Sequence, residues 1–272
     1  MARRSAPRLI TLTSDIGSAY AAQMKAVLAR HRPAGTVIDL AHDLRSHAIG
    51  EAAFLLRAMA VGFPAGTVHV AVVDPGVGGR RAPIVIVCAD GSALVGPDNG
   101  VLLPLAEALG EPHAYRVDPD RLATEVRVGT TFDGRDVFAP TAARLADGTP
   151  AEELGTPIQP HHYAVPQAIV AGTTARGEVV HEDRFGNLIT NIATDTVPAR
   201  IKRVAVRLGS ARARNLPFVT SYESLRGGRA GCLGSSFSLL EIAVAERSAA
   251  RRFRVHVGSP VELRWGPRLR SR

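Results

Sequence analysis

Apolar residues in the first half of the chain fall into short runs that alternate in character. Arg8–Thr13, Thr36–Leu40, Thr67–Val73 and Pro83–Cys88 are brief, β-rich and nearly continuous, as expected of buried strands. Between and after them, Tyr20–Arg30, Ile49–Val61, Val101–Leu109 and Val137–Ala146 carry helical periodicity; in the second of these, Ala52, Ala53, Leu55, Leu56 and Met59 are apolar. Strands alternating with helices predict an α/β domain with a largely parallel sheet covered on both faces. From Gly148 to about Pro166 the pattern breaks, with Pro150, Pro157, Pro160 and Pro166 punctuating it and His161 and His162 between them. Beyond lie short strand candidates at Ala168–Ala171, Gly177–His181, Asn187–Ile192, Arg203–Leu208 and Val261–Trp265, with a helix expected only over Ser238–Ala250. The predicted organisation is an N-terminal α/β domain (1–150), a linker (151–166) and a small, mainly antiparallel C-terminal β domain (167–272).

Composition narrows the class. A chain of 272 residues with 46% hydrophobic and 21% charged residues can bury a large core. The net charge of +8, from 33 basic and 25 acidic residues, is carried almost wholly by arginine, since Lys25 and Lys202 are the only lysines. That skew reads as compositional bias. Arginines do cluster at Arg3-Arg4, at Arg251-Arg252-Phe253-Arg254 and from Arg264 through Arg272. Aromatics at 5% give little to stack on bases, which argues against a nucleic-acid partner. Two cysteines, Cys88 and Cys232, make neither a disulfide framework nor a zinc site, and Cys88 within Ile84–Cys88 reads as a buried thiol. Asp15 and Lys25 interrupt any secretory h-region, and no apolar run reaches membrane-spanning length, so a cytoplasmic protein with no membrane partner is expected.

Candidate chemistry concentrates where a strand meets a glycine-rich loop. In Val72-Val73-Asp74-Pro75-Gly76-Val77-Gly78-Gly79-Arg80-Arg81, a carboxylate stands at a strand's end and two guanidinium groups follow within seven positions. Ligands of α/β proteins sit at the carboxyl ends of strands, and glycine lets the backbone approach them closely. An ordinary glycine turn capped by Asp74 fits this segment equally well. Similar polar, glycine-bearing segments are Thr13–Gly17, Gly96–Gly100, Thr131–Asp136, Asp183–Asn187 and Gly234–Phe237. Taken singly, Asp98-Asn99-Gly100 is a turn, and Asp136 is a helix N-cap.

Together and in this order, these segments resemble the S-adenosylmethionine (SAM) hydroxide adenosyltransferase family, the SAM hydrolases related to fluorinase and chlorinase. The motifs are Ser14-Asp15-Ile16-Gly17, Val73–Gly78, Pro97-Asp98-Asn99-Gly100, Phe132–Pro140, Phe185-Gly186-Asn187 with Thr190-Asn191-Ile192, and Ser236-Phe237 with Leu240–Ala243, and the likeness runs from about residue 9 to 265. The resemblance implies an α/β N-terminal domain, a β-barrel-like C-terminal domain, and a homotrimer whose sites lie between subunits. It implies conversion of SAM and water to adenosine and methionine, with no cofactor. Asp15 matches the acid holding the ribose hydroxyls, Asp183 the acid facing the methionine ammonium, Asn187 the amide reading adenine and Ser236 the hydroxyl near the methionine carboxylate. Val244 and Glu246 fall where main-chain groups meet adenine, and Tyr222 aligns with a residue stacked on the base. Tyr20, Asp98, Asn99 and Phe237 join the implied substrate-binding set.

The catalytic trio of the family is Asp, Arg and His. Asp74 and Arg81 match the first two, whereas Asp133 stands where the His belongs. A carboxylate only accepts hydrogen bonds, while imidazole does both. A sulfonium leaving group, however, needs only an aimed water that sheds its proton as the bond forms, a task an Asp can serve. The same carboxylate argues against halide as nucleophile, repelling it by about 4 kcal/mol at ~4 Å. The stretch Ile16–Tyr20 is shortened and lacks a further family acid. His42 and His47 read as structural surface residues, with His47 as a stand-in imidazole the alternative. No cluster argues for a metal. Two competing readings are a SAM- or adenosine-binding protein with weak catalysis, motivated by the missing His, and an RNA-associated protein, motivated by the arginine-rich C-terminus.

Overall fold

The computed structural model describes residues 8–31, 36–122 and 129–266 and divides into two compact units, Met1–Ala164 and Val165–Arg272. The Arg3-Arg4 pair and the arginines beyond Gly266 lie outside the described residues.

The first unit is an α/β sandwich. Its strands are β1 (Ile10–Ser14), β2 (Val37–Ala41), β3 (Val68–Val72), β4 (Pro83–Val87), β5 (Ala93–Pro97), β6 (His113–Val117) and β7 (Gly155–Pro157), in the order β2-β1-β3-β5-β4-β6-β7. The β2-β1-β3-β5 ladder is parallel and the remaining pairs antiparallel, so five of the seven strands run one way. Helices α1 (Gly17–His31) and α4 (Ala139–Ala146) cover one face; α2 (Ile49–Ala60) and α3 (Leu103–Leu109) cover the other. Strand β3 shows why both faces must be covered. Val68, Val70 and Val72 point into the core with Met24, Leu28 and Phe138, while Ala71 and the following Val73 join Leu56, Ile84 and Leu105. Helix α5 (Ala151–Leu154) and β7 lie within the stretch read from its prolines as a linker, and β7 adds an edge to the first sheet.

Strands β5 and β6 were not anticipated. β5 holds a glycine and ends in proline, both poor strand formers. The glycine is needed because a Cβ on Gly96 would lie 2.5 Å from the Ala71 carbonyl oxygen, so close approach of β5 to β3 excludes a side chain.

The second unit is an antiparallel sheet curled almost shut. Its strands are β8 (Ile169–Ala171), β9 (Thr174–Glu182), β10 (Leu188–Ala193), β11 (Arg203–Leu208), β12 (Arg214–Pro217), β13 (Ala230–Gly234), β14 (Leu239–Val244) and β15 (Pro260–Arg264). The order is β12-β11-β15-β9-β10-β14-β13, with β8 on β9, and a bridge between Phe218 and Cys232 brings the two edges together. The helix expected over Ser238–Ala250 is overturned. Leu239–Val244 is a strand paired on both sides, and only Ala249–Phe253 is helical (α6), with the Ser248 hydroxyl accepting from the Arg251 amide at 3.0 Å. A short apolar run fits either state by periodicity, and the two neighbouring strands decide it. Among the described residues, no helix is long and apolar enough to cross a membrane.

One buried group makes the first unit acid-sensitive. His69, on β3, is 1% exposed, bonded through Nδ1 to the Thr11 hydroxyl at 2.8 Å, and burial pushes its pKa down to about 4. Between that value and the ~6.5 of an unfolded histidine, the unfolded chain binds the extra proton. Stability is therefore fully present above ~6.5 and falls by about 3 kcal/mol as pH drops through 4. Urea unfolding at pH 7 and pH 4.5 should show a larger acid loss for the parent than for His69→Gln. Equal losses would place the acid sensitivity elsewhere.

Candidate active site

In the first unit the chain reverses immediately after β3. The Val77 amide donates to the Asp74 carbonyl at 3.3 Å and the Gly79 amide to the Gly76 carbonyl at 3.0 Å. Gly78 has φ +75°, and a Cβ there would lie 2.6 Å from the Thr130 carbonyl oxygen. This tight path folds Arg81 back onto Asp74. Arg81 Nε donates to Asp74 Oδ1 at 3.0 Å and to Oδ2 at 2.9 Å, while Nη2 bonds both Asp74 Oδ2 and Asp133 Oδ2. Its guanidinium also lies over the Phe138 ring, 5.4 Å from the centroid. The three side chains are 5–11% exposed. Burial alone would disfavour the guanidinium charge, but the bonds to Asp74 and Asp133 outweigh it and hold the Arg81 pKa above its usual value.

Asp133 reaches this pair from an unusual helix start. A π-helical turn, Gly134–Phe138, runs directly into α4, and such turns concentrate at functional sites. Asp133 occupies the N-cap position but caps nothing, its carboxylate bonding Arg81 instead. Asp136, expected as an N-cap, lies inside the turn and pairs with Arg135. A Cβ on Gly134 would lie 2.8 Å from the Phe132 ring, so glycine permits Phe132 to fold in against Tyr20, edge to face at 5.3 Å. Asn99 secures the strand end, its Nδ2 donating to the Val73 carbonyl at 2.9 Å.

A cavity of about 190 Å³ opens beside this cluster, lined by residues including Asp15, His47, Asp74, Phe132 and Asp133. Asp15 Oδ2 accepts from the His47 amide at 2.9 Å. His42 is tied elsewhere, through Nδ1 to the Ser14 hydroxyl at 2.8 Å. A second cavity, about 730 Å³, meets Arg81 and Asp133 and is lined also by Arg80, Arg116 and Asp118. Asp133 borders both. Of the implied substrate residues in this unit, Asp15 lies in the small cavity. Asp98 and Asn99 do not, and Asp98 accepts from the His161 amide at 2.6 Å.

The second unit carries a separate cleft of about 810 Å³ that brings together Asp183, Asn187, Tyr222, Val244 and Glu246. Asp183 organises one wall. Its Oδ1 accepts from the amides of Phe185 and Asn187, and its Oδ2 from Asn187 Nδ2, all at 2.9 Å. Gly186, at φ +78°, passes so close to Ser248 that a Cβ would collide with its hydroxyl. Tyr222 Oη donates to Glu241 Oε1 at 2.7 Å. Burial raises the pKa of both partners. Ser236 and Phe237 are not among the lining residues; they sit in the β13–β14 turn. Glu241 was not foreseen as a functional residue. A lone acid inside the otherwise apolar run Leu239–Val244 was the sequence signal that could have found it, and the structure leaves it 3% exposed.

Chemically, the first unit offers a buried, charge-paired set of donors and acceptors beside a space suited to small polar groups. The second offers an oriented amide and an aromatic face suited to a planar base. Among the described residues no group of three or more His, Cys, Asp or Glu side chains is placed to hold a metal ion.

Comparison with known proteins bears on both units. Residues 10–155 match the model of the SAM hydroxide adenosyltransferase N-terminal domain, and residues 177–262 that of the SAM hydroxide adenosyltransferase C-terminal domain. A Thermus thermophilus protein named (R)-S-adenosyl-L-methionine hydrolase is 38% identical, the match covering 94% of this chain and 99% of that protein. A Methanocaldococcus jannaschii protein of the same name is 32% identical over 94% of this chain and 95% of its own length. The crystal structure of an uncharacterized conserved protein from Thermotoga maritima superposes with a TM-score of 0.86 at 31% identity, covering 93% of this chain and 99% of that one.

Two substitutions test the local arguments. Gly17 shares the positive φ of Gly78 but has open space around it. Gly78→Ala should therefore lower the melting temperature more than Gly17→Ala, by an added cost of about 1–3 kcal/mol, and equal effects would dismiss the Thr130 contact. Glu241 is raised by burial, then by the charge of Asp183, against the Tyr222 bond, so the native state holds its proton above the ordinary carboxylate range. Stability contributed this way is lost as pH rises through that range. Glu241→Gln should gain melting temperature over the parent at pH 7, and the gain should shrink toward pH 4.

Proposed function

The chain belongs to the SAM hydroxide adenosyltransferase family, and we propose that it hydrolyses S-adenosyl-L-methionine, in the sulfonium (R) form its relatives are named for, to adenosine and L-methionine. The observation carrying this reading is the Asp74–Arg81–Asp133 cluster bordering the small cavity. In the proposed reaction, Arg81 and Asp74 orient one water behind the ribose C5′. The water oxygen bonds to C5′ as the C5′–S bond breaks in line. Sulfur keeps that electron pair and becomes the neutral thioether of methionine, and Asp133 accepts the proton. Asp15 holds the ribose hydroxyls, since one carboxylate accepts from two hydroxyls at once. Asn187, Tyr222 and main-chain groups at Val244 and Glu246 receive adenine, and Asp183 with Ser236 receives the amino-acid end.

Water rather than halide is the nucleophile in this reading. Asp133 borders the cavity directly, and a carboxylate at ~4 Å disfavours a halide by about 4 kcal/mol. The family resemblance supports a homotrimer that completes each site between one copy's first unit and a neighbour's second, acting in the cytoplasm without a cofactor.

Purified protein incubated with the (R) epimer of SAM in ¹⁸O-water should yield adenosine labelled at the 5′ oxygen. Asp133→Asn should lower kcat by about 10²-fold while KM stays within about threefold. An unchanged kcat would remove Asp133 from the chemistry, and unlabelled adenosine would exclude attack by water at C5′. Sedimentation at micromolar protein should report three copies.

A further inference from the structure

Each turnover of the hydrolysis proposed above, on which this inference rests, releases one proton. The acid that first accepts it meets solvent only through the two cavities it borders. Asp133 is 4% exposed and bonded to Arg81, and Asp74 directs both oxygens at the same guanidinium. The charge-paired cluster must be restored before the next substrate binds.

His47 borders the same cavity and is itself exposed to solvent. Its backbone is held in the left-handed region, φ 64°, which few residues other than glycine adopt. Contacts on both sides fix it there: its amide donates to Asp15 Oδ2 at 2.9 Å, and its carbonyl accepts from the Ile49 amide at 3.0 Å. The preceding turn is closed by the Ala48 amide donating to the Arg45 carbonyl at 3.1 Å. A strained conformation held by its surroundings is a common mark of functional placement. Charged groups surround it. Asp15, Asp74 and Asp133 line the cavity, Arg81 is paired to the latter two, and Arg45 is engaged by Glu51 at 3.0 Å. Imidazole is also the side chain that gains and loses a proton near neutral pH.

We propose that His47 is the proton exit of the site: it takes the proton from Asp133 across the cavity and delivers it to solvent, returning Asp133 to its pair with Arg81. No bond other than those to the travelling proton is made or broken. His47 thus acts through Asp133 and sets the rate at which the site is reset.

Two variants test this in the full-length protein. His47→Asn tolerates a positive φ but carries no proton at neutral pH, and His47→Gly takes the backbone angle without strain while opening space for a small base. Both should lose at least about tenfold in kcat with KM within about twofold, melting at the parental temperature. Added imidazole should restore the Gly variant in a saturable manner that follows its unprotonated form. Parental kcat in both variants would overturn the proposal, as would a loss appearing in KM alone or one that imidazole does not relieve. If the parent forms no adenosine in the same assay, the hydrolytic reading falls and takes this one with it. If the parent turns over and only the variants fail to slow, this proposal falls alone.

Discussion

A guanidinium between two carboxylates, all three withdrawn from water, is the constraint around which the first unit is arranged. Desolvating three charges costs several kcal/mol per ion, and their attraction offsets it only when the geometry is good. That requirement explains the tight glycine path from Asp74 to Arg81, the Phe138 ring under the guanidinium and the Asn99 amide clamped to the Val73 carbonyl. Removing one member would leave an uncompensated buried charge, so the three behave as one unit for stability and for chemistry.

The π turn at Gly134–Phe138 follows from the same demand. A regular N-cap would spend the Asp133 carboxylate on the helix's own amides. Here that carboxylate serves Arg81, and the helix gives up a side-chain cap in exchange. The second unit uses the opposite device. Asp183 accepts three bonds within its own loop while lining the cleft, and its bond to Asn187 Nδ2 fixes how the Asn187 amide is turned. One acid is freed from capping its helix, and the other is anchored in its loop so that it and its neighbour present fixed groups to the cleft. Glu241 under Tyr222 extends this order, placing a buried acid where it steadies an aromatic side chain at the cleft.

Strands β1, β3 and β4 and helices α1 and α2 were readable from the chain because each carries a period matching its environment. β5 was hidden because its identity depends on β3, which passes too close for a side chain at position 96. The Leu239–Val244 strand was misread as helix because six apolar-rich residues carry no decisive period, and one of its two partners, β10, comes from a remote part of the chain. Asp136 was misassigned for a related reason. The register of a π turn shifts the cap position to Asp133, and nothing local announces a π turn.

By itself the sequence determined the class of each half, the position of Asp74 at a strand's carboxyl end, and the identities of Arg81 and Asp133. These are local properties of composition, period and motif order. Only the tertiary structure decided that the three side chains meet, that Asn99 clamps the strand end beside Asp74, and that His47 borders the same cavity as Asp133. Asp133 lies 52 positions from Arg81, and His47 comes from a turn on another connection of the sheet. Which distant loops share one end of a sheet is set by strand order, and strand order is a property of the packed core rather than of any segment.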